Sequence, residues 1–444
     1  MDHLICLNFS GNIYTCFKSG KNAFSLLTHN RQWKGILILL LLYVLQTEGI
    51  AAGGRGPATW DVLFQGGDIA TDSYHMYKDD IAMMKQMEMN SYRFSICWSR
   101  FLPKGTIEGG INQEGVDFYN NLIDEMMAKG IEPFVTLFHF DLPSALQDAY
   151  GGLGSRQFVD DYAAYAEFCF KTFGDRVKHW ATFNEPHVFA AYGSTMGSKK
   201  PVAGTTRPYI ATHHTILAHA TANKIYKEKY FATQGGEIGI SLMTQWMLPY
   251  NDDHFHKDAK QRGLDFMVGW YLGPLVTGHY PFIMKAIVRD RLPDFTEEER
   301  NMVKGSLDFI AVNYYTTRFA EGVPINPNDK PTGFDKDHYV NYSITHPETQ
   351  ENVNIYSVGL KDLLIHIKNH YLNPKIYITE NGKNLCDGLE PNQGYTLRMG
   401  LIYTDYANGM KRIPKASAKW FKGFMRAKKT PVIFFRRSNL CSIS

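Results

Sequence analysis

The sequence is read as an α/β chain, a (β/α)8 TIM barrel in a single domain. Three observations carry that expectation. Short apolar runs ending in polar or aromatic residues recur along the chain. Helical patterns of about 10–15 residues separate them, which calls for βαβ units and a parallel sheet. No Gly-x-Gly-x-x-Gly turn is present to mark a doubly wound sheet. Polar chemistry at the carboxyl ends of many separate strands is what a closed α/β barrel supplies.

In chain order, the first 35 residues mix Cys, Asn, Lys and Gly without a period. The expected organisation is a poorly specified segment 1–35, a barrel domain 36–425 and a basic tail 426–444. Ile36–Leu45 (ILILLLLYVL) is the most apolar run. It is too short to span a bilayer, which takes about 20 residues. Two readings stay open for it. One is the apolar core of a signal peptide, against which stand the 35 residues ahead of it and the lack of a small-residue cleavage site. The other is a buried strand of a parallel sheet.

The next strand runs are Ser91–Arg100 (SYRFSICWSR), Ile131–Phe140 (IEPFVTLFHF) and Val177–Glu185 (VKHWATFNE). Glu237–Trp246 (EIGISLMTQW), Leu307–Tyr315 (LDFIAVNYY) and Lys375–Glu380 (KIYITE) follow. Between them, Val116, Tyr119, Leu122, Ile123, Met126 and Met127 fall on one helical face. Phe158, Tyr162, Tyr165, Ala166 and Cys169 do the same, as do Leu360, Leu363, Leu364 and Ile367.

Composition narrows the class. The chain has 444 residues, enough for three domains at about 150 residues each or for one large barrel. No repeat, Pro-rich stretch or acidic block divides it, which favours one domain. Lys+Arg is 47 against 44 Asp+Glu, so the basic surplus of a nucleic-acid binder is missing. The chain is 44% apolar and 14% aromatic, ample for a core, and no membrane partner is expected. The cysteines at 6, 16, 97, 169, 386 and 441 contain no C-x-x-C pair. His213, His214 and His219, and His254-x-His256 in a polar loop, lack carboxylate or cysteine partners at ligand spacing. No metal site is therefore expected.

Two glutamates stand out. Glu185 lies in Thr182-Phe183-Asn184-Glu185-Pro186 and Glu380 in Ile378-Thr379-Glu380-Asn381-Gly382. Each ends a strand run, and a closed barrel aims both at one central pocket. A lone strand-end Glu is more often a surface or ion-pair residue. Two of them, each bracketed by Asn and a turn-forming Pro or Gly, favour a functional pair. Glycoside hydrolysis needs two facing carboxyls, one protonated and one anionic, and their repulsion raises the pKa of the first. Arg93 is placed to hold Glu380 anionic and Tyr315 to hydrogen-bond the same carboxylate. Trp98, Phe140 and Trp180 are candidates for stacking on a sugar, Trp180 being read as core packing.

The motifs T-F-N-E-P, I-T-E-N-G, Y-R-F-S-I-x-W-S-R, H-F-D-L-P and N-Y-Y-T resemble glycoside hydrolase family 1, the retaining β-glucosidases built on a (β/α)8 barrel. The likeness runs from about Gln46 to Phe424. Runs such as Y-G-G-L-G-S-R-Q-F-V-D-D-Y and F-G-D-R-V-K-H-W look most like the plant members. The resemblance implies that Glu185 is the general acid/base and Glu380 the nucleophile. It implies that Gln46, His139, Asn184, Asn313 and Tyr315 line the pocket for the glycone. It implies a small β-D-glucoside as substrate and no cofactor, and leaves a homo-oligomer open. Gln46-Thr47-Glu48-Gly49 is similar to the family's Q-x-E-G after the first strand, which favours the strand reading of Ile36–Leu45. Plant relatives are often vacuolar or secreted, and Asn341-Tyr342-Ser343 forms a glycosylation sequon. No clean signal peptide stands in the chain.

The chain also departs from the family. Only 11 residues separate Gly382 from Gly394. In relatives this interval holds a helix, the eighth strand and a W-S-x-x-D-N-x-E-W motif whose Glu and Trp bind the sugar. A βαβ unit takes about 30 residues or more, so the interval cannot supply it, and against the family pattern the barrel is expected to be incomplete at strand 8. The F-x-W-G-x-A-T-S-x-Y opening before Gln46 and the cysteine pair of plant relatives near Ser194–Thr206 are missing too. Two expectations follow: a working retaining β-glucosidase, or an inactive sugar-binding or regulatory isoform of the same lineage.

Overall fold

The computed structural model describes residues 36–38 as backbone, residues 54, 55, 57 and 58, and the stretches 71–192, 206–326, 333–381 and 400–429. Its centre is a curled parallel sheet. β1 is Ile36–Ile38, β2 Ser91–Ser95, β3 Glu132–Phe138 and β4 His179–Asn184. β5 is Glu237–Pro249, β6 Phe309–Gly322, β7 Val340–Ser343 and β8 Ile376–Asn381. Strands β2 to β6 pair in sequence, each parallel to the next, and β8 pairs parallel with β6. β7 is antiparallel to the far end of β6 and stands outside the barrel wall. β8 is therefore the barrel's seventh strand.

β1 pairs directly with β8, Leu37 opposite Tyr377. Part of the apolar run 36–45 is thus a sheet strand, and its remainder lies outside the described residues. The sheet order is β1-β8-β6-β5-β4-β3-β2. Among the described residues no further parallel strand stands between β8 and β1 or between β1 and β2. The barrel wall thus shows seven parallel strands among the described residues, and residues 382–399, the eighth-strand region, lie outside them. After that region a separate hairpin, β9 (Ile402–Asp405) and β10 (Lys411–Pro414), leads to the last helix, Ala416–Lys429.

The strands form where they do because their side chains are wanted on both faces. β3 is buried along nearly its whole length, as a strand covered by helices outside and barrel core inside must be. The surrounding helices follow the periodic faces. Gln113–Ala128 buries Val116, Tyr119, Leu122, Ile123 and Met126, whereas Met127 turns out to be exposed. Gln157–Phe173 buries all five residues of its expected stripe. Ser357–His370 buries Leu363, Leu364 and Ile367. The last helix runs past the boundary expected at 425, and Arg426 pairs with Glu88. Nearby, Arg412 grips Asp80 with two nitrogens at 2.8 and 3.1 Å, tying the C-terminal hairpin to the helix Ser73–Gln86.

Three details differ from the sequence reading. Ser91–Arg100 is a strand only to Ser95, after which Trp98–Phe101 turns into a short helix. That turn carries Trp98 into the core, stacked on Tyr165 at 4.7 Å with its indole N–H donating to the Gly105 carbonyl. It is not a sugar platform. Trp180 is core as expected, edge-on to Phe170. His254 and His256 open the helix His254–Leu264 instead of lying in a loop, with Asp253 as its N-cap.

Candidate active site

The carboxyl ends of β2, β3, β4, β6 and β8 converge on one buried cation. Arg93, in the middle of β2, uses all three guanidinium nitrogens. Its Nε donates to Thr136 Oγ1 on β3 at 2.8 Å. Its Nη2 donates to Asn184 Oδ1 at the end of β4 at 2.6 Å. Its Nη1 donates to Glu380 Oε1 on β8 at 2.9 Å. Both partners of this ion pair are almost fully buried. Such a pair holds only where further hydrogen bonds satisfy both groups. Tyr315, on β6, supplies one by donating to the other oxygen of Glu380.

Glu185 follows β4 directly. Its backbone sits in the left-handed region (φ 43°), where non-glycine residues are uncommon, and its N–H extends the sheet ladder to the Ser241 carbonyl at 2.8 Å. Its carboxylate accepts from Asn313 Nδ2 at 2.9 Å, and the same nitrogen donates to Asn184 Oδ1 at 3.0 Å. Asn184 in turn donates towards His139 Nε2 at 3.1 Å. Seven of the eight expected residues are thus accounted for in one cluster: Arg93, His139, Asn184, Glu185, Asn313, Tyr315 and Glu380. The eighth, Gln46, lies outside the described residues.

The two carboxyls sit in unlike surroundings. Glu380 faces a buried guanidinium and a phenol. Burial, and then the negative charge of Glu380, push the Glu185 carboxyl up to about 8, against the opposing pull of Asn313 and Arg93. At neutral pH the arrangement holds a proton on Glu185, while Glu380 is ion-paired with Arg93. Burial, reinforced by the Arg93 charge, drives the His139 pKa well below its ordinary 6.5, so that ring is neutral. The site can therefore offer a proton donor, a carboxylate paired with a guanidinium and a neutral hydrogen-bonding ring within one cluster.

Several supporting residues escaped the sequence reading. Asp141 accepts from the backbone N–H of His139 at 2.8 Å and of Trp98 at 3.0 Å, fixing the turns after β3 and β2. Thr136 anchors Arg93, and Thr379 donates to Asn313 Oδ1 at 2.6 Å. Thr379 stood inside a quoted motif, and a buried hydroxyl next to a candidate nucleophile was the available clue. Phe140 is buried beside His139 and stacks on Phe189. Among the described residues no three His, Cys, Asp or Glu side chains are placed to hold a metal ion. His219 bridges Thr182 and the Ser306 carbonyl inside the core, and His213 packs on Phe295. No helix among the described residues is long and apolar enough to cross a membrane.

The family model for glycosyl hydrolase family 1 matches residues 44–386 and 383–430, which together span most of the chain. The chain belongs to glycosyl hydrolase family 1. The family match breaks into two stretches at 383–386, where the chain has only 11 residues between Gly382 and Gly394. This family 1 glycosidase is a shortened form in its eighth-strand region. It is 44% identical over 452 residues to a furostanol glycoside 26-O-β-glucosidase from Hellenia speciosa, covering 86% of this chain and 80% of that protein. A rice β-glucosidase crystal structure superposes with a TM-score of 0.77 at 36% identity, covering 84% of this chain and 94% of that one. The same rice enzyme as a Glu-to-Gln mutant in a covalent complex with glucose gives a TM-score of 0.76 at 35% identity, with the same coverage.

Proposed function

We propose that this family 1 glycosidase is a retaining β-glucosidase acting on the O-glycosidic bond of small β-D-glucosides. The observation that carries the reading is the unlike setting of two carboxyls organised around one arginine, Glu380 ion-paired with Arg93 and Glu185 hydrogen-bonded by Asn313 with its pKa raised. Glu380, ion-paired with Arg93, attacks the anomeric carbon. Glu185, protonated at neutral pH, gives its proton to the departing glycosidic oxygen, and the aglycone leaves as an alcohol. The anomeric carbon is then esterified to Glu380. A water molecule loses a proton to Glu185 and its oxygen displaces Glu380 from that carbon, releasing glucose and restoring both carboxyls. Gln46, His139, Asn184, Asn313 and Tyr315 line the glycone pocket in this reading. No metal or organic cofactor takes part.

The covalent glucose complex of the rice relative supports the two-step course for the family. The name of the Hellenia relative, a furostanol glycoside 26-O-β-glucosidase, supports a β-glucosidic bond as the one cleaved. The test is release of nitrophenol from a chromogenic β-glucoside, with Glu380→Gln as control and circular dichroism to verify folding. Wild type should exceed the control by a factor of about 10³ or more. A folded wild type no faster than Glu380→Gln would leave the inactive, sugar-binding reading in its place.

A further inference from the structure

We propose that Thr379 is a positioning residue for Glu185, acting through the side-chain amide of Asn313. The inference rests on the reading of Glu185 and Glu380 as the working pair, and it follows from the polarity of the hydrogen-bond network.

A guanidinium only donates. Arg93 Nη2 lies 2.6 Å from Asn184 Oδ1, which fixes that atom as oxygen and turns Asn184 Nδ2 towards His139 Nε2. Nε2 is then the bare nitrogen of the ring, and His139 carries its proton on Nδ1. The Asn184 oxygen also lies 3.0 Å from the Asn313 side chain, so the atom facing it is the amide nitrogen. The second hydrogen of that nitrogen goes to Glu185 Oε1 at 2.9 Å. Both N–H bonds of Asn313 are now used. Its oxygen is left facing Thr379 Oγ1 at 2.6 Å, and the hydroxyl must be the donor.

The backbone is shaped for this contact. Val312 is opposite Ile378 and Asn313 is opposite Glu380, so Thr379 is an extra residue on β8 at a break in register. Such irregularities re-aim a side chain that regular alternation would send elsewhere. Here the break lets two adjacent residues of one strand serve both carboxyls. Glu380 supplies its own, and Thr379 holds the amide that donates to the other. Thr379 and Asn313 are fully buried, so solvent does not replace a lost hydroxyl.

Without this anchor the Asn313 amide, still bonded to Asn184, can turn from Glu185, and the anionic form of Glu185 loses a donor that opposes its raised pKa. The experiment is a pH titration by carbon NMR of protein labelled at the glutamate carboxyls, with the Glu185 resonance assigned from Glu185→Gln. In Thr379→Val the Glu185 midpoint should rise by about one pH unit. In Thr379→Ser, which keeps the hydroxyl, it should stay at the wild-type value. Thr379→Ala provides the same reading if the valine variant does not fold. A midpoint unmoved in the valine or alanine variant, or moved equally in the serine variant, overturns the proposal, even where melting temperature falls. The titration needs no turnover. A wild type inert towards glucosides would therefore sink the β-glucosidase reading while this measurement still decides the role of Thr379.

Discussion

Glu185 concentrates the energetic tension of the molecule. Its folded pKa of about 8 lies above the ordinary carboxyl value of 4.5 because burial and Glu380 both disfavour the charge. For a group shifted in this direction, the folded state binds the proton more tightly than the unfolded state does. Its contribution to stability is full below about 4.5, declines as pH rises, and levels off above about 8. Glu185→Gln removes the titration and keeps the shape. The melting temperature of this variant relative to wild type should therefore climb between pH 5 and pH 8 by about 2–4 °C, then stay level. A difference that is flat across that range would mean that Glu185 is not buried beside a second charge. In the wild-type enzyme the same titration should set the alkaline limb of kcat/KM near pH 8.

At the scale of elements, the strand ends were legible because each apolar run stops at a polar cluster, and so Arg93, Glu185 and Glu380 could be named before their contacts were known, while Asn184 came from the family resemblance. Thr136, Thr379 and Asp141 were not legible, because their partners come from other strands and depend on register, including the break at Thr379 that no periodicity announces. Trp98, a sugar-stacking candidate, is core for a related reason: it stands on a one-turn helix after β2 and not on the strand itself. The apolar run Ile36–Leu45 is the most consequential element, since two readings were open for it and β1 lies within it, beside the strand of Glu380. Successive N–H groups of a strand point to opposite edges. Proline placed at Leu37 and at Ile38 in turn should therefore remove a ladder donor to β8 in one variant. That variant should lose about 1–3 kcal/mol by urea unfolding, and the other much less. Equal midpoints for both variants and wild type would show that β1 does not hold this place in solution.

For the whole molecule, the shortened interval governs both stability and substrate affinity. A parallel barrel has no edges when it closes, and an incomplete one leaves backbone donors and acceptors to be satisfied by other means. Among the described residues the last barrel strand pairs with β1 at three positions. The family resemblance also assigns to the missing interval a Glu and a Trp that hold the sugar. The chemistry around Arg93 draws on β2, β3, β4, β6 and β8 and does not need that interval, whereas full grip on the glycone does. The shortened enzyme should accordingly turn over with an elevated KM more than a depressed kcat. Replacing residues 383–393 with the corresponding helix and strand of the rice β-glucosidase should raise the urea midpoint and lower KM for a nitrophenyl β-glucoside about tenfold or more, a change worth about 1.4 kcal/mol or more of binding. The kcat of the graft should move by less than its KM. A graft that folds with unchanged KM would mean that the missing interval does not limit glycone binding in this chain. A graft that rescues kcat from near zero would mean instead that the Arg93 cluster is misplaced until the eighth strand supports it.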